Sequence, residues 1–343
     1  MLKVSRKVIL TMSLVLLTSS CASVSYYSQA VAGQWRILVD REPIEQVLAD
    51  PGQPIALQAQ LRVVQRVLNF ASQTVGMDPQ GRYESYVDVG RPSVVWNVFA
   101  AAPDAIVGEQ WCYPIVGCAP YRGYFTQRAA QALADRLKSR GLQTYVAGVT
   151  AYSTLGWFED PVLSTFIDWP EPDLAALLLH ELAHGVVWVE DDVTFNESFA
   201  TAVAEIALLE YYQGLGQEGA YKTWLDRRAG WSRMKARLLT LRSALGGAFA
   251  RGESGDLLYA QFQAQYQNDR DILGNGRFDK LVFADLNNAY LVSLGAYEGL
   301  VPAFRCLHQG SATWAEFFAE VRRAAELNPA ERKALFRHCF NRG

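Results

Sequence analysis

Two of the chain's four histidines stand four residues apart, in the run Leu177-Leu178-Leu179-His180-Glu181-Leu182-Ala183-His184-Gly185. On a helix, positions i and i+4 lie one turn apart on the same face, so both imidazoles reach one point. Two neutral imidazoles so placed suit a tetrahedral zinc ion. Glu181, directly after the first, stands ready to work on a water in the open coordination position. The flanking residues are apolar, so the helix is expected to be buried, where unpaired histidines and a carboxylate are costly. A metal accounts for all three. The helix follows Pro170 and Pro172, and Asp173 is the expected cap.

A third ligand is available downstream in Asn196-Glu197-Ser198-Phe199-Ala200, beyond a polar turn at Glu190 to Phe195. Asn196 reads as an N-cap, which puts Glu197 in the first turn of a second helix running to Gly214. A short connection between two antiparallel helices brings that turn back beside the histidines. Glu205, about two turns further on, is the rival ligand, or else an outer hydrogen-bond partner of a ligand histidine.

HELAH followed by NESFA resembles the gluzincin metallopeptidases, in which HExxH and a Glu from a following helix bind zinc. More narrowly, the chain resembles a family of bacterial lipoproteins described as predicted aminopeptidases. The residues that carry this likeness are Trp111-Cys112-Tyr113-Pro114, Tyr152 to Phe158, the two helices above, and Asn287-Asn288-Ala289-Tyr290. The gap between HELAH and NESFA is shorter than in the larger aminopeptidases. The resemblance implies an α+β, predominantly helical fold, with a gluzincin-like core and a small sheet before the HExxH helix. It implies Zn2+ on His180, His184 and Glu197, Glu181 as general base and then acid, and a peptide substrate.

By the same likeness, a strand shortly before the HExxH helix pairs with the substrate backbone, which places Gly156 and Trp157 in the cleft. A tyrosine hydroxyl faces the oxyanion, with Tyr290 the first choice and Tyr297 noted beside it. A substrate's free amine needs an anion, for which Glu159, Asp160 and Glu190 to Asp192 are unranked candidates. Two other functions stay open: an endopeptidase with a cleft open at both ends, and a non-catalytic envelope scaffold with a structural zinc. Cobalt or manganese can use the same ligands.

Residues 1 to 20 read as a secretory signal. Lys3, Arg6 and Lys7 precede an apolar stretch from Val8 to Leu17, and small residues lead to Cys21. Cys21 is the expected lipidation site, with the mature protein (21–343) as the metallopeptidase domain and a division into lobes near residue 170 left open. The resemblance puts the anchor on the periplasmic face of an outer membrane. The whole chain carries −3, and removing three positive charges leaves about −6, which argues against a nucleic-acid partner. A hydrophobic content of 50% is ample for a core. In an oxidising compartment the four remaining cysteines suggest disulfides, Cys112–Cys118 and Cys306–Cys339 among three pairings.

Apolar periodicity predicts helices over 44–48, 57–75, 126–140, 221–245, 257–267, 285–295 and 314–327. Residues 83–89 and 94–100 read as a hairpin about Gly90-Arg91-Pro92, 111–125 as a loop, and 143–150 as a strand. His308 and His338 read as structural.

Overall fold

The structure, a computed structural model, describes residues 26–113, 117–151, 159–190, 192–294 and 299–340. Cys21, Gly156, Trp157, Asp191 and Tyr297 lie outside them. The chain opens with helix α1 (26–39), β1 (Glu42–Pro43), α2 (Ile44–Ala49) and α3 (Ile55–Phe70). Then come β2 (Ser85–Val87), β3 (Val95–Ala101), β4 (Trp111–Tyr113), β5 (Gly117–Ala119), β6 (Arg122–Tyr124), α4 (Gln127–Lys138), β7 (Gln143–Val149) and β8 (Val162–Leu163). The remainder is helical: α5 (Glu171–His184), α6 (Val193–Gly214), α7 (Glu218–Ala250), α8 (Asp256–Asn268), α9 (Asn288–Ser293), α10 (Val301–Gln309), α11 (Trp314–Glu326) and α12 (Pro329–Phe340). The fold is α+β and mostly helical, as expected.

β3 runs between β6 and β7, antiparallel to both, in the register Val95↔Val149 to Ala101↔Gln143 with β7. Its sequence VWNVFAA is apolar on both faces, as a strand covered on both sides must be. α4 packs on Trp96, Val98 and Ala100, while Ala289 of α9 meets Phe99 and Ala101. Thr126 caps α4 by accepting from the Ala129 amide, and Gly141, at φ +85°, turns the chain back into β7.

The expected hairpin is absent. β2 pairs with β1 and, in parallel, with β8, whereas β3 belongs to the other sheet. Past β2, the Val89 amide donates to Ser164 Oγ and Ser164 N to Val87 O, so these groups are committed to the β8 side. Residues 111–125 are also not a plain loop. They form β4 and β5, joined through a Cys112–Cys118 disulfide, and then β6. Cys306 is disulfide-bonded too, while the side chain of Cys339 lies outside the described set. α10 and α12 went unpredicted, and the helix read at 285–295 is confined to Asn288–Ser293.

β8 leads through buried Phe166 and Ile167 into α5. α5 and α6 lie side by side in the largest core, with Phe195, Phe199, Phe304, Phe317 and Phe336 fully enclosed. α6 is apolar or small around most of its circumference, and such a helix is stable only when covered on every side. Ala200, Ala202, Ala204 and Ala207 let its neighbours approach. It is a rigid carrier for Glu197.

Candidate metal centre

α5 places His180 and His184 in its last turns, with their rings edge to face at 4.8 Å. Pro170, not Asp173, is the N-cap. Asp173 sits in the first turn and is held by Arg227 at 2.6 Å, tying α5 to α7. Gly185 is the C-cap and leaves room for the Arg82 guanidinium; an added Cβ would come within 2.5 Å of Arg82 Nη2. Arg82 Nη1 donates to the Glu181 carbonyl at 3.3 Å, a cation at the negative end of the helix dipole.

α6 starts earlier than expected. Asp192, not Asn196, is its cap, accepting from the Phe195 amide at 2.9 Å. Glu197 is therefore the fifth residue of the helix. Asn196 is buried one residue before it and serves the connection instead. Its side-chain amide donates to Val189 O at 2.7 Å and accepts from Val189 N at 2.8 Å, locking the loop that leaves α5. From the far end of the chain, Arg332 of α12 donates to Asp192 Oδ2 at 2.5 Å and lies over the Phe195 ring. Asp192→Ala is expected to destabilise the protein by about 3 kcal/mol, since it removes a cap and strands a buried guanidinium. Urea unfolding of the metal-free protein measures this, and a loss below about 0.5 kcal/mol would refute it.

These contacts bring three donor atoms together. His180 Nε2 lies 3.2 Å from His184 Nε2 and 3.3 Å from Glu197 Oε2, and His184 Nε2 lies 3.7 Å from Glu197 Oε1. Ligands at about 2.0–2.1 Å from a tetrahedral zinc are separated by about 3.3–3.4 Å, the edge of the tetrahedron. The observed spacings bracket that edge. His180, His184 and Glu197 are also the one group among the described residues whose geometry could hold a metal ion. Side-chain exposure rises from 9% at His184 through 22% at His180 to 37% at Glu197, so the site opens to solvent on the Glu197 side.

The electrostatics favour ligand forms. Burial, then the neighbouring His180, lowers the His184 pKa to about 4, which keeps its imidazole neutral. Its Nδ1 is buried without a hydrogen-bond partner among the described residues. Burial opposes the Glu197 carboxylate, but the hydrogen bond from His180 and the favourable electrostatics of the two imidazoles and Lys235 outweigh it and hold its pKa below the usual range. Glu181 goes the other way. Burial, with Glu197 and Asp160 adding, raises its carboxyl pKa against the pull of His180 and Arg82. That carboxylate makes no hydrogen bond within the described residues.

A pH dependence follows for the metal-free protein. The folded pKa of His184 lies below the unfolded value, so its contribution is present above about 6.5 and is lost as the pH falls toward 4. Stability should drop by up to about 1.4 kcal/mol per pH unit across that window. Denaturant midpoints at pH 7 and pH 5 test this, and an equal slope in His184→Gln would refute the assignment.

Sequence reading missed the segment under this site. Gln80, Gly81 and Tyr83 all take positive φ, at +54°, +83° and +61°, in a turn that swings Arg82 under α5. The Tyr83 amide donates to Asp160 O at 2.7 Å, and burial, then the charges of Glu181 and Asp160, push the Tyr83 hydroxyl well up. Asp78-Pro79-Gln80-Gly81 is a turn signal that marked the bend, though not its destination. Among the amine-anion candidates, Asp160 is buried close enough to act on Glu181, whereas Glu159 pairs with Arg41 and Asp192 with Arg332.

Glu205 is spent elsewhere. It is buried and held by Arg228 at 2.9 Å and by Arg305. Tyr290 packs edge to face on Tyr145 at 4.8 Å, and no contact joins it to His180, His184 or Glu197. The Asn287-Asn288 pair is a fold clamp: Asn287 caps α9 through the Tyr290 amide, and Asn288 Nδ2 donates to the carbonyls of Ala102 and Pro103. His308 packs on Trp314 and Phe317.

Fold and site together define a mostly helical α+β protein with a three-residue candidate metal centre between two adjoining helices. The chain belongs to the family described as "Putative aminopeptidase", whose sequence model matches residues 25–336. No curated protein and no solved structure matches it. The family description points to a peptidase acting on peptide substrates.

Proposed function

We propose that the protein is a zinc-dependent peptidase, an aminopeptidase by its family, carried on a lipid anchor at Cys21 on the periplasmic face of the outer membrane. The observation that carries the catalytic reading is the tetrahedral-edge spacing of His180, His184 and Glu197, with the Glu181 carboxylate, which makes no hydrogen bond among the described residues, beside them. A zinc ion bound there would lower the pKa of its water toward about 7 and polarise the scissile carbonyl. His180, His184 and Glu197 would hold it, His184 as a neutral imidazole and Glu197 as a carboxylate. Glu181 accepts the proton of the attacking water and returns it to the leaving amine, a role that suits a carboxyl whose pKa is raised toward working pH. The substrate's free amine would need an anion, and of the candidates Asp160 lies close enough to Glu181 for its charge to act there. Tyr290, whose hydroxyl is kept protonated by burial, is the donor offered to the oxyanion, with Tyr83 as the rival nearer Glu181.

Metal analysis together with hydrolysis of matched free and N-acetylated peptides tests the reading. One zinc per chain and cleavage that requires the free amine are expected. Equal cleavage of acetylated peptides would make the protein an endopeptidase. Zinc without any cleavage would leave a structural site.

A further inference from the structure

α1 presents the wrong face to water. Tyr27, Val31, Trp35 and Val39 recur every fourth residue, and all are exposed, Val31 and Trp35 by 68% and 65%. At 100° per residue this row winds through about 120° of the helix circumference. Leu38 and Ser28 fall within that arc, and Ala32 and the uncharged Gln34 lie just beyond its two edges, so no charged residue lies on it. A contiguous exposed apolar row of this kind marks an interaction surface, unlike single exposed leucines.

The opposite face of α1 is firmly docked. Ile37 is buried, and Gln29 Oε1 accepts from the Phe125 amide at 3.0 Å. Gly33 sits against the Phe125 ring so closely that a Cβ would overlap it, and Tyr26 meets Tyr124 at 5.6 Å with Arg122 stacked over its ring at 4.0 Å. The apolar row therefore points in a fixed direction away from the body. Cys21 lies five residues ahead of Tyr26, a distance that an extended chain spans in at most about 18 Å. α1 itself is about 21 Å long.

We propose that the outward face of α1 is a bilayer-docking surface. Tyr27, Val31, Trp35 and Val39 settle into the headgroup boundary of the membrane that holds the Cys21 lipid, and so fix the orientation of the body. The proposal rests on the lipid-anchor reading of Cys21. A short tether keeps α1 within reach of that membrane, and aromatic and aliphatic residues on one face with no charge suit the interface between water and hydrocarbon. Because the face is uncharged, docking should be insensitive to salt and to anionic lipid, unlike attraction by a basic patch.

The test uses the full acylated chain in vesicles of phosphatidylethanolamine and phosphatidylglycerol, with the mass of the N-terminal peptide reporting acylation separately. An environment-sensitive fluorophore is attached at Val31→Cys or, as a control, at the exposed Leu257→Cys, with unsubstituted protein labelled in parallel as the blank. Lipids brominated near the headgroup should quench the label at 31 at least threefold more than that at 257. The same quenching is expected in 0.5 M salt. Tyr27→Asp with Trp35→Asp should abolish the difference while the chain stays anchored. Equal quenching at the two sites in an acylated chain would overturn the docking proposal alone. An unacylated chain would overturn the anchor reading; docking would then stand only if that chain still floated with vesicles through this face. Shielding of the label at 31 that depends on protein concentration and needs no vesicles would show a self-association face and overturn it.

Discussion

Glu181→Gln is expected to bind metal at the wild-type stoichiometry while peptide turnover falls by about 10²- to 10⁴-fold. The amide has the size of the carboxylate but cannot take a proton from water. The native carboxylate is well prepared for that transfer, since its pKa is raised by burial and no hydrogen bond within the described residues ties it down. Its backbone is also fixed, because the carbonyl of the same residue accepts from Arg82. Metal content and turnover must be measured on the same sample. Unchanged turnover would remove Glu181 from the chemistry, and loss of metal would make it part of the binding site.

Glu197→Ala should lower zinc affinity by more than the ~10- to 100-fold typical of losing an outer hydrogen-bond partner, since it removes a ligand itself. Zinc present at 100 times its dissociation constant stabilises a folded protein by about 2.7 kcal/mol. That increment should vanish in Glu197→Ala. Glu205→Ala supplies the contrast. It leaves Arg228 and Arg305 without their shared buried anion, so the fold weakens, yet the zinc increment should survive. Should Glu205→Ala abolish the increment and Glu197→Ala keep it, the ligand assignment would be reversed.

Much of the centre was legible in the chain because its geometry is local. His180, Glu181 and His184 depend only on helical periodicity, and Glu197 needed only a short return to the same helix pair. The start of α6 was misread because Asn and Asp are both good caps. Choosing between them required Arg332, which is distant in sequence and draws Asp192 into the capping position. The hairpin failed for a similar reason: β2 and β3 carry the right residues, but their partners, β8 and β7, lie far along the chain. The contributions of Arg82, Tyr83 and Asp160 come through a turn whose three positive φ angles direct it under α5, and no periodicity encodes that direction.

Arg332 also has a consequence in time. It is made 140 residues after the Asp192 that it clamps. At synthesis rates of about 5–20 residues per second, that interval is roughly 7–28 s. During it, the helix that carries Glu197 exists without its buried guanidinium partner. A chain interrupted between α6 and α12 holds His180, His184 and Glu197 yet lacks the guanidinium that clamps the start of the helix carrying Glu197. Completion of the candidate centre is thus linked to completion of the chain, because the clamp on the start of α6 comes from its last helix.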